Sequence, residues 1–474
     1  MLIVGLGALV ALQQPAREPL RPCQMAGLVA LCATIQVPEN RAAPKVRTLG
    51  LRVVVIPPDS GTELPDPIVV VPGGPGGGVI DGAQGWASIL QSTRGHRALI
   101  LLDPRGAALS GALDCDFGDG PSHPASYVTD FAPPDKVKQC AAALARRADL
   151  TQYHTDAIAD DLADVLTALG YTRVNLVGVS GGTRQAFVFA SRYPKRVRTL
   201  TLGGVVPPDY RLPLHYAQDL DRSLELLFAD CARDAACHSA YPDPKGELVG
   251  LLQRLGRAPA RVPLEVPRLG QDTARVTRGI FAERIRRMLY SRDQAAQVLY
   301  VIHRAATGDF LPFVAPLVPG LGGSPGGDGV AMGHYLSVTC SEDVDRIRPA
   351  ERAAAARGTL LGDYRVQQQV AACALWPHAH LPETHFQFTP LALPALLISG
   401  DADPVTPPRW AQAMQRYLPS AKQVVFPTGW HVPIGTPCGS ELVSQFIVAG
   451  NAQALDVSCA ATLRRSPFKL PNAP

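Results

Sequence analysis

Several absences narrow the reading of this chain before any motif is considered. Beyond the short apolar stretch Leu2–Leu12 there is no later run of about 18 apolar residues, so no membrane span is expected in the mature form. No basic run and no basic–aromatic stripe occurs, and the net charge is only +4 over 474 residues. Nucleic-acid binding therefore gets no support, and the scattered charge reads as a solvated surface. No internal repeat is present. None of the ten cysteines forms a C-x-x-C pair with a second such pair, which speaks against a zinc ribbon.

What is present describes a loop-rich globular chain. The apolar fraction is 46% and the charged fraction 18%, too apolar for a disordered protein. Glycine (43) and proline (44) are abundant, which favours an enzyme with many loops over a helical bundle. The cysteines form an even set that falls in sequence order into five local pairs: Cys23–Cys32, Cys115–Cys140, Cys231–Cys237, Cys340–Cys373 and Cys438–Cys459. A reducing cytosol rarely carries such a set, so five sequential disulfides and a periplasmic or secreted location are expected. Residues 1–16 resemble a signal peptide with a short apolar core, although no Lys or Arg precedes it.

Short β-branched runs alternate with amphipathic stretches. Leu51–Ile56, Pro67–Val71, Ala98–Leu102, Val174–Val179 and Val197–Leu202 read as strands. Asp156–Leu169 has Ile158, Leu162, Val165 and Leu169 at helical spacing and stops at Gly170, and Thr183–Ser191 also reads as a helix. Continuous apolar strands between helices indicate a buried, mostly parallel sheet. From about Asp209 to His385 the alternation stops and the chain reads as helices and loops, with Leu220–Leu227, Phe281–Leu289 and Gln294–Ala305 periodic and Pro319–Gly329 a glycine-rich loop. Strands return at Ala395–Ser399 and Gln423–Phe426. The expected organisation is a first core part over 17–208, a helical cap insertion over 209–385 and a second core part over 386–474.

The chemistry is carried by Gly178-Val179-Ser180-Gly181-Gly182, a G-x-S-x-G pattern between a strand and a helix. So tight a turn lifts the serine oxygen out at the end of the sheet. Ser180 is the candidate nucleophile, and the Gly181 N–H, at the helix N-terminus, is a candidate oxyanion donor. A serine hydroxyl needs a base, and the base needs a carboxylate to orient it. On such a sheet these follow in the order acid, then histidine. The strand Ala395–Ser399 runs into Asp401-Ala402-Asp403, and Asp403, deeper in the loop, is preferred over Asp401. His431 sits in a glycine turn after the last strand and is the candidate base. Gly73-Gly74-Pro75-Gly76 follows an early strand, and Gly74 is the candidate second oxyanion donor. No G-K-[ST] follows it, so it does not read as a phosphate loop. His378, His380, Glu383 and His385 crowd into eight residues, but their proline-containing segment reads as a surface or cap loop. Neither a metal nor a cofactor is expected.

Taken in order, these motifs resemble the prolyl and tripeptidyl aminopeptidase branch of the α/β hydrolases, peptidase family S33. Gly73–Gly76 is similar to that family's H-G-G-P-G loop, Asp103-Pro104-Arg105-Gly106 to its D-x-R-G turn, Gly178–Arg184 to G-x-S-x-G-T-R, and Asp401–Pro407 to D-x-D-P-V-T-P. The stretch from about Ala395 to Cys459 is similar to the C-terminal region of secreted tripeptidyl aminopeptidases. Pro72 stands where many relatives have His, and Gly181 where many have Tyr; both changes alter the pocket lining. The resemblance implies an α/β-hydrolase fold, a peptide substrate, and cap carboxylates that pair with its free α-amine. Glu342 and Asp343, then Glu383, are the candidates. An esterase or amidase acting on small acyl compounds would use the same triad, and a binding protein on the same fold without catalysis is the remaining alternative.

Overall fold

The computed structural model describes residues 20–25, 27–117, 123–267, 269–323 and 329–471. The stretch 1–16, read above as a signal peptide, lies outside the described residues. Among the described residues nine strands form one sheet. In chain order they are β1 (Arg21–Met25), β2 (Leu28–Pro38), β3 (Thr48–Ile56), β4 (Ile68–Val71), β5 (Leu99–Leu102), β6 (Val174–Val179) and β7 (Val197–Gly203). A separate hairpin, β8 (Ala260–Val266) and β9 (Gly270–Val276), comes next. The sheet is completed by β10 (Ala395–Gly400) and β11 (Lys422–Phe426), giving the order β1-β2-β3-β5-β4-β6-β7-β10-β11. From β5 to β11 all neighbours are parallel, while β1, β2 and β3 join antiparallel at one edge.

The parallel strands are apolar throughout because both faces are covered. Along β6, Leu176 faces a core shared with the helices Thr155–Ala168 and Gly181–Arg192. Its neighbour Val177 faces the opposite core, with Leu90, Phe446 and Ile447. Val69 and Val70 of β4 divide in the same way, as do Leu397 and Ile398 of β10. Burying both faces removes the polar alternation a one-sided sheet would show.

Between β7 and β10 the chain leaves the sheet. The helices Tyr216–Arg233, Pro244–Arg257, Arg278–Met288 and Val298–Ala306 enclose a core of their own, with Leu224, Leu251, Phe281 and Ile302 inside. The helices Met332–Glu342 and Tyr364–Cys373 instead pack on the excursion that contains the helix Pro134–Leu144. The expectation of helices and loops alone needs one correction, the hairpin β8–β9. Val262, Leu264 and Val266 alternate inward along β8. Pro263 interrupts that run, which hides its period of two.

Five disulfides join Cys23–Cys32, Cys115–Cys140, Cys231–Cys237, Cys340–Cys373 and Cys438–Cys459. After Cys459, which packs on the sheet side, the chain turns back to the cap. There Phe468 and Leu470 pack on the cap core, and the Lys469 N–H donates to the Ala296 carbonyl at 2.9 Å. No helix among the described residues is long and apolar enough to cross a membrane.

Candidate active site

The turn after β6 places Ser180 at the head of the helix Gly181–Arg192 with φ 53° and ψ −128°. A non-glycine residue at positive φ is strained and is held only by its surroundings. Three bonds hold it here. The Ser180 N–H donates to the Gly203 carbonyl at 2.8 Å, and its own carbonyl accepts from the Thr183 N–H at 2.9 Å and hydroxyl at 2.6 Å. The helix runs so close to the exit of β4 that a Cβ on Gly182 would lie 2.2 Å from the Pro72 carbonyl oxygen. The flanking glycine is thus required by close approach of two backbones.

The last turns of β10 and β11 bring the other two groups to this serine. His431 Nε2 lies 2.9 Å from Ser180 Oγ, and His431 Nδ1 lies 2.8 Å from Asp403 Oδ2. Asp403 is fully buried. Its Oδ1 accepts from the Val405 and Thr406 N–H groups at 2.8 and 2.9 Å, and its Oδ2 from the Thr406 hydroxyl at 2.7 Å. Burial pushes this carboxyl up, but the His431 charge, its hydrogen bond and the Thr406 donors outweigh burial and leave it below the ordinary 3.8. Asp401 points elsewhere and pairs with Arg222 at the surface.

The Gly73–Gly77 loop lies against this serine. A Cβ on Gly181 would lie 2.8 Å from the Gly74 carbonyl carbon and oxygen, so the two candidate oxyanion donors are adjacent backbone segments. On its other side the loop meets the cap, where the Ala331 N–H donates to the Gly76 carbonyl at 3.0 Å.

The three acids proposed for amine recognition are placed differently. Glu342 and Asp343 are buried and turn to Arg184, four residues after Ser180. Glu342 Oε2 lies 3.4 Å and Asp343 Oδ1 2.9 Å from its guanidinium. Glu342 also accepts from the Thr155 N–H at 2.5 Å and hydroxyl at 2.8 Å. Glu383 is exposed in the turn Glu383–Phe386. Sequence spacing could not show that the first two acids have an internal cation as partner.

Other residues near Ser180, His431 and Asp403 escaped the sequence reading. The Tyr290 ring meets His431 edge-on at 4.7 Å between centroids, and its hydroxyl accepts from Arg286 Nη1 at 2.7 Å. Arg286 in turn is held by buried Glu283 at 2.9 Å. Nothing in the cap sequence marks Tyr290. Thr406 had a signal, its place three residues after Asp403 in a motif already singled out.

The geometry agrees with what the chain is similar to. The profile described as alpha/beta hydrolase fold matches residues 66–241, and the one described as TAP-like protein matches residues 358–459. The chain is an α/β hydrolase with a TAP-like C-terminal region. Among curated proteins, this α/β hydrolase is 23% identical to serine protease Hip1 of Mycobacterium tuberculosis, over 91% of this chain and 87% of that protein. It is 25% identical to the tripeptidyl aminopeptidases of Streptomyces lividans and Streptomyces coelicolor, over 90% of this chain and 83% of theirs.

Proposed function

We propose that this α/β hydrolase is an exported serine aminopeptidase that releases N-terminal residues or short peptides through an acyl-enzyme. The observation that carries the reaction class is the continuous hydrogen-bond chain from Ser180 Oγ through His431 to Asp403. Ser180 Oγ attacks the scissile carbonyl carbon while His431 Nε2 takes its proton. Asp403 orients the imidazole and stabilises its cation. The Gly74 and Gly181 N–H groups hold the developing oxyanion. His431 then protonates the leaving amine as the C–N bond breaks, and water, activated by the same histidine, releases the acyl group from Ser180.

The peptide substrate is supported by the TAP-like region and by the names of the two Streptomyces relatives. Export is supported by the five disulfides. One observation favours a second reading. Glu342 and Asp343 are already engaged by Arg184, which suits a small ester or amide without a free amine. Rates on aminoacyl- and tripeptidyl-arylamides, on their N-acetylated forms and on p-nitrophenyl esters separate the two. A large preference for the free amine supports the aminopeptidase. Equal rates with and without the acetyl group transfer the assignment to the esterase.

A further inference from the structure

The histidine-rich segment at the end of the cap gains a partner in the fold that its sequence does not reveal. Asp345 lies in the turn Val344–Arg346, more than thirty residues earlier in the chain. Its Oδ2 lies 3.3 Å from His378 Nε2 and 3.1 Å from His380 Nδ1. The three donor atoms all lie within 4.8 Å of one another, the one such group of three found among the described residues. We propose that Asp345, His378 and His380 form a binding site for a divalent transition cation of the zinc class.

Three observations support this. The first is spacing. Ligands about 2.0 Å from a tetrahedral zinc stand about 3.3 Å from one another. The two separations converging on Asp345 Oδ2 are of that size. The second is the tautomer of His378. Its Nδ1 lies 2.7 Å from the Trp376 carbonyl, which can only accept, so Nδ1 carries the hydrogen. Nε2 is thus the nitrogen left to face the Asp345 carboxylate. The 3.3 Å gap between them is bridged by a proton on Nε2 or by a cation held between the two groups. A carbonyl that fixes the far nitrogen of a histidine is the usual outer support of a metal ligand.

The third is that both segments are fastened before any ion arrives. The Cys340–Cys373 bridge joins the helices that lead into them. The Trp376 indole N–H donates to Ser337 Oγ at 3.0 Å, and the Ala379 N–H to Ser341 Oγ at 3.0 Å. The neighbouring cation does not compete, since Arg346 lies over the Phe386 ring at 3.8 Å. Two imidazoles and one carboxylate suit zinc, nickel or copper better than calcium or magnesium, which prefer oxygen. Three protein ligands leave the remaining positions to water. The ion would tie the end of one cap helix to the segment that returns to β10.

His380 is 81% exposed, so replacing it leaves the fold intact. The test is titration of the chelator-stripped full chain with zinc chloride by calorimetry, beside His380→Ala and Asp345→Asn. The expected result is one ion bound per chain, a higher melting temperature with zinc, and affinity lower by about tenfold or more in both variants. Both variants should melt like the wild type in chelator. Failure of the wild type to bind zinc overturns the proposal. So does wild-type affinity in His380→Ala, which would place the ion elsewhere, for example on His431. The readout is binding, so its outcome is independent of which substrate the enzyme cleaves.

Discussion

At the scale of single residues, the two aspartates after β10 make the sharpest contrast. Asp403 is fully buried and bonded to His431, whereas Asp401 is partly exposed and paired with Arg222. Asp403→Asn should cut turnover by about ten-thousandfold, because the imidazole loses its orienting charge. Asp401→Asn should leave the rate within about fivefold, since an exposed ion pair contributes about 1 kcal/mol at most. Steady-state rates on any turned-over substrate check both. Asp219 offers a pH test. Burial pushes its carboxyl from 3.8 up to about 7, although Arg409 at 2.7 Å and the Trp410 indole N–H pull it down. Arg409 is itself partly exposed, so water weakens its pull. Between about pH 4 and about pH 7 the folded chain holds a proton that the unfolded chain has released. Stability from this group is complete below that window and is lost as pH rises through it. Denaturant unfolding of wild type and Asp219→Asn should show the wild type losing ground to the variant across that window. A difference that moves the other way contradicts the assignment.

At the scale of elements, two glycines on helices should respond in opposite senses. A Cβ on Gly182 meets the backbone oxygens of Pro72 and Val71 at 2.2 and 2.4 Å, and neither can yield without moving β4. Gly182→Ala should destabilise by about 1–3 kcal/mol or more. Gly250, inside the helix Pro244–Arg257, has nothing within 4 Å of such an atom. Gly250→Ala should stabilise by about 0.5–1 kcal/mol. Melting temperatures decide both. The same elements show what was legible in the sequence. β6 has the expected limits, Val174–Val179, because a strand buried on both faces reads as an unbroken apolar run. Tyr216–Arg233 extends well beyond the periodic Leu220–Leu227, because its ends carry polar residues in an otherwise helical turn. The candidate triad was legible because each member follows a strand at the same end of the sheet. The partner of Glu342 and the company of His431 were not, since both depend on how the cap docks, and docking leaves no local period.

At the scale of the whole molecule, Arg184 connects separate parts of the chain. It reaches Glu342 and Asp343 of the cap and donates to the Tyr210 carbonyl at 2.5 Å, while Glu342 holds the start of the helix Thr155–Ala168. Removing one side of a buried charge cluster strands the other. Arg184→Met should cost about 3–5 kcal/mol. Denaturant unfolding measures this, and a loss under about 1 kcal/mol would show that the cap docks without this contact.

The tail has a mechanical consequence. The chain passes between sheet and roof after β7 and before β10, and crosses once more near its end. Leu463 packs on the sheet side, and Arg465 pairs with Asp230 on the cap helix Tyr216–Arg233 at 2.5 Å. One residue separates them. A crossing this short is a latch. On that edge the roof cannot lift without releasing the Arg465–Asp230 pair.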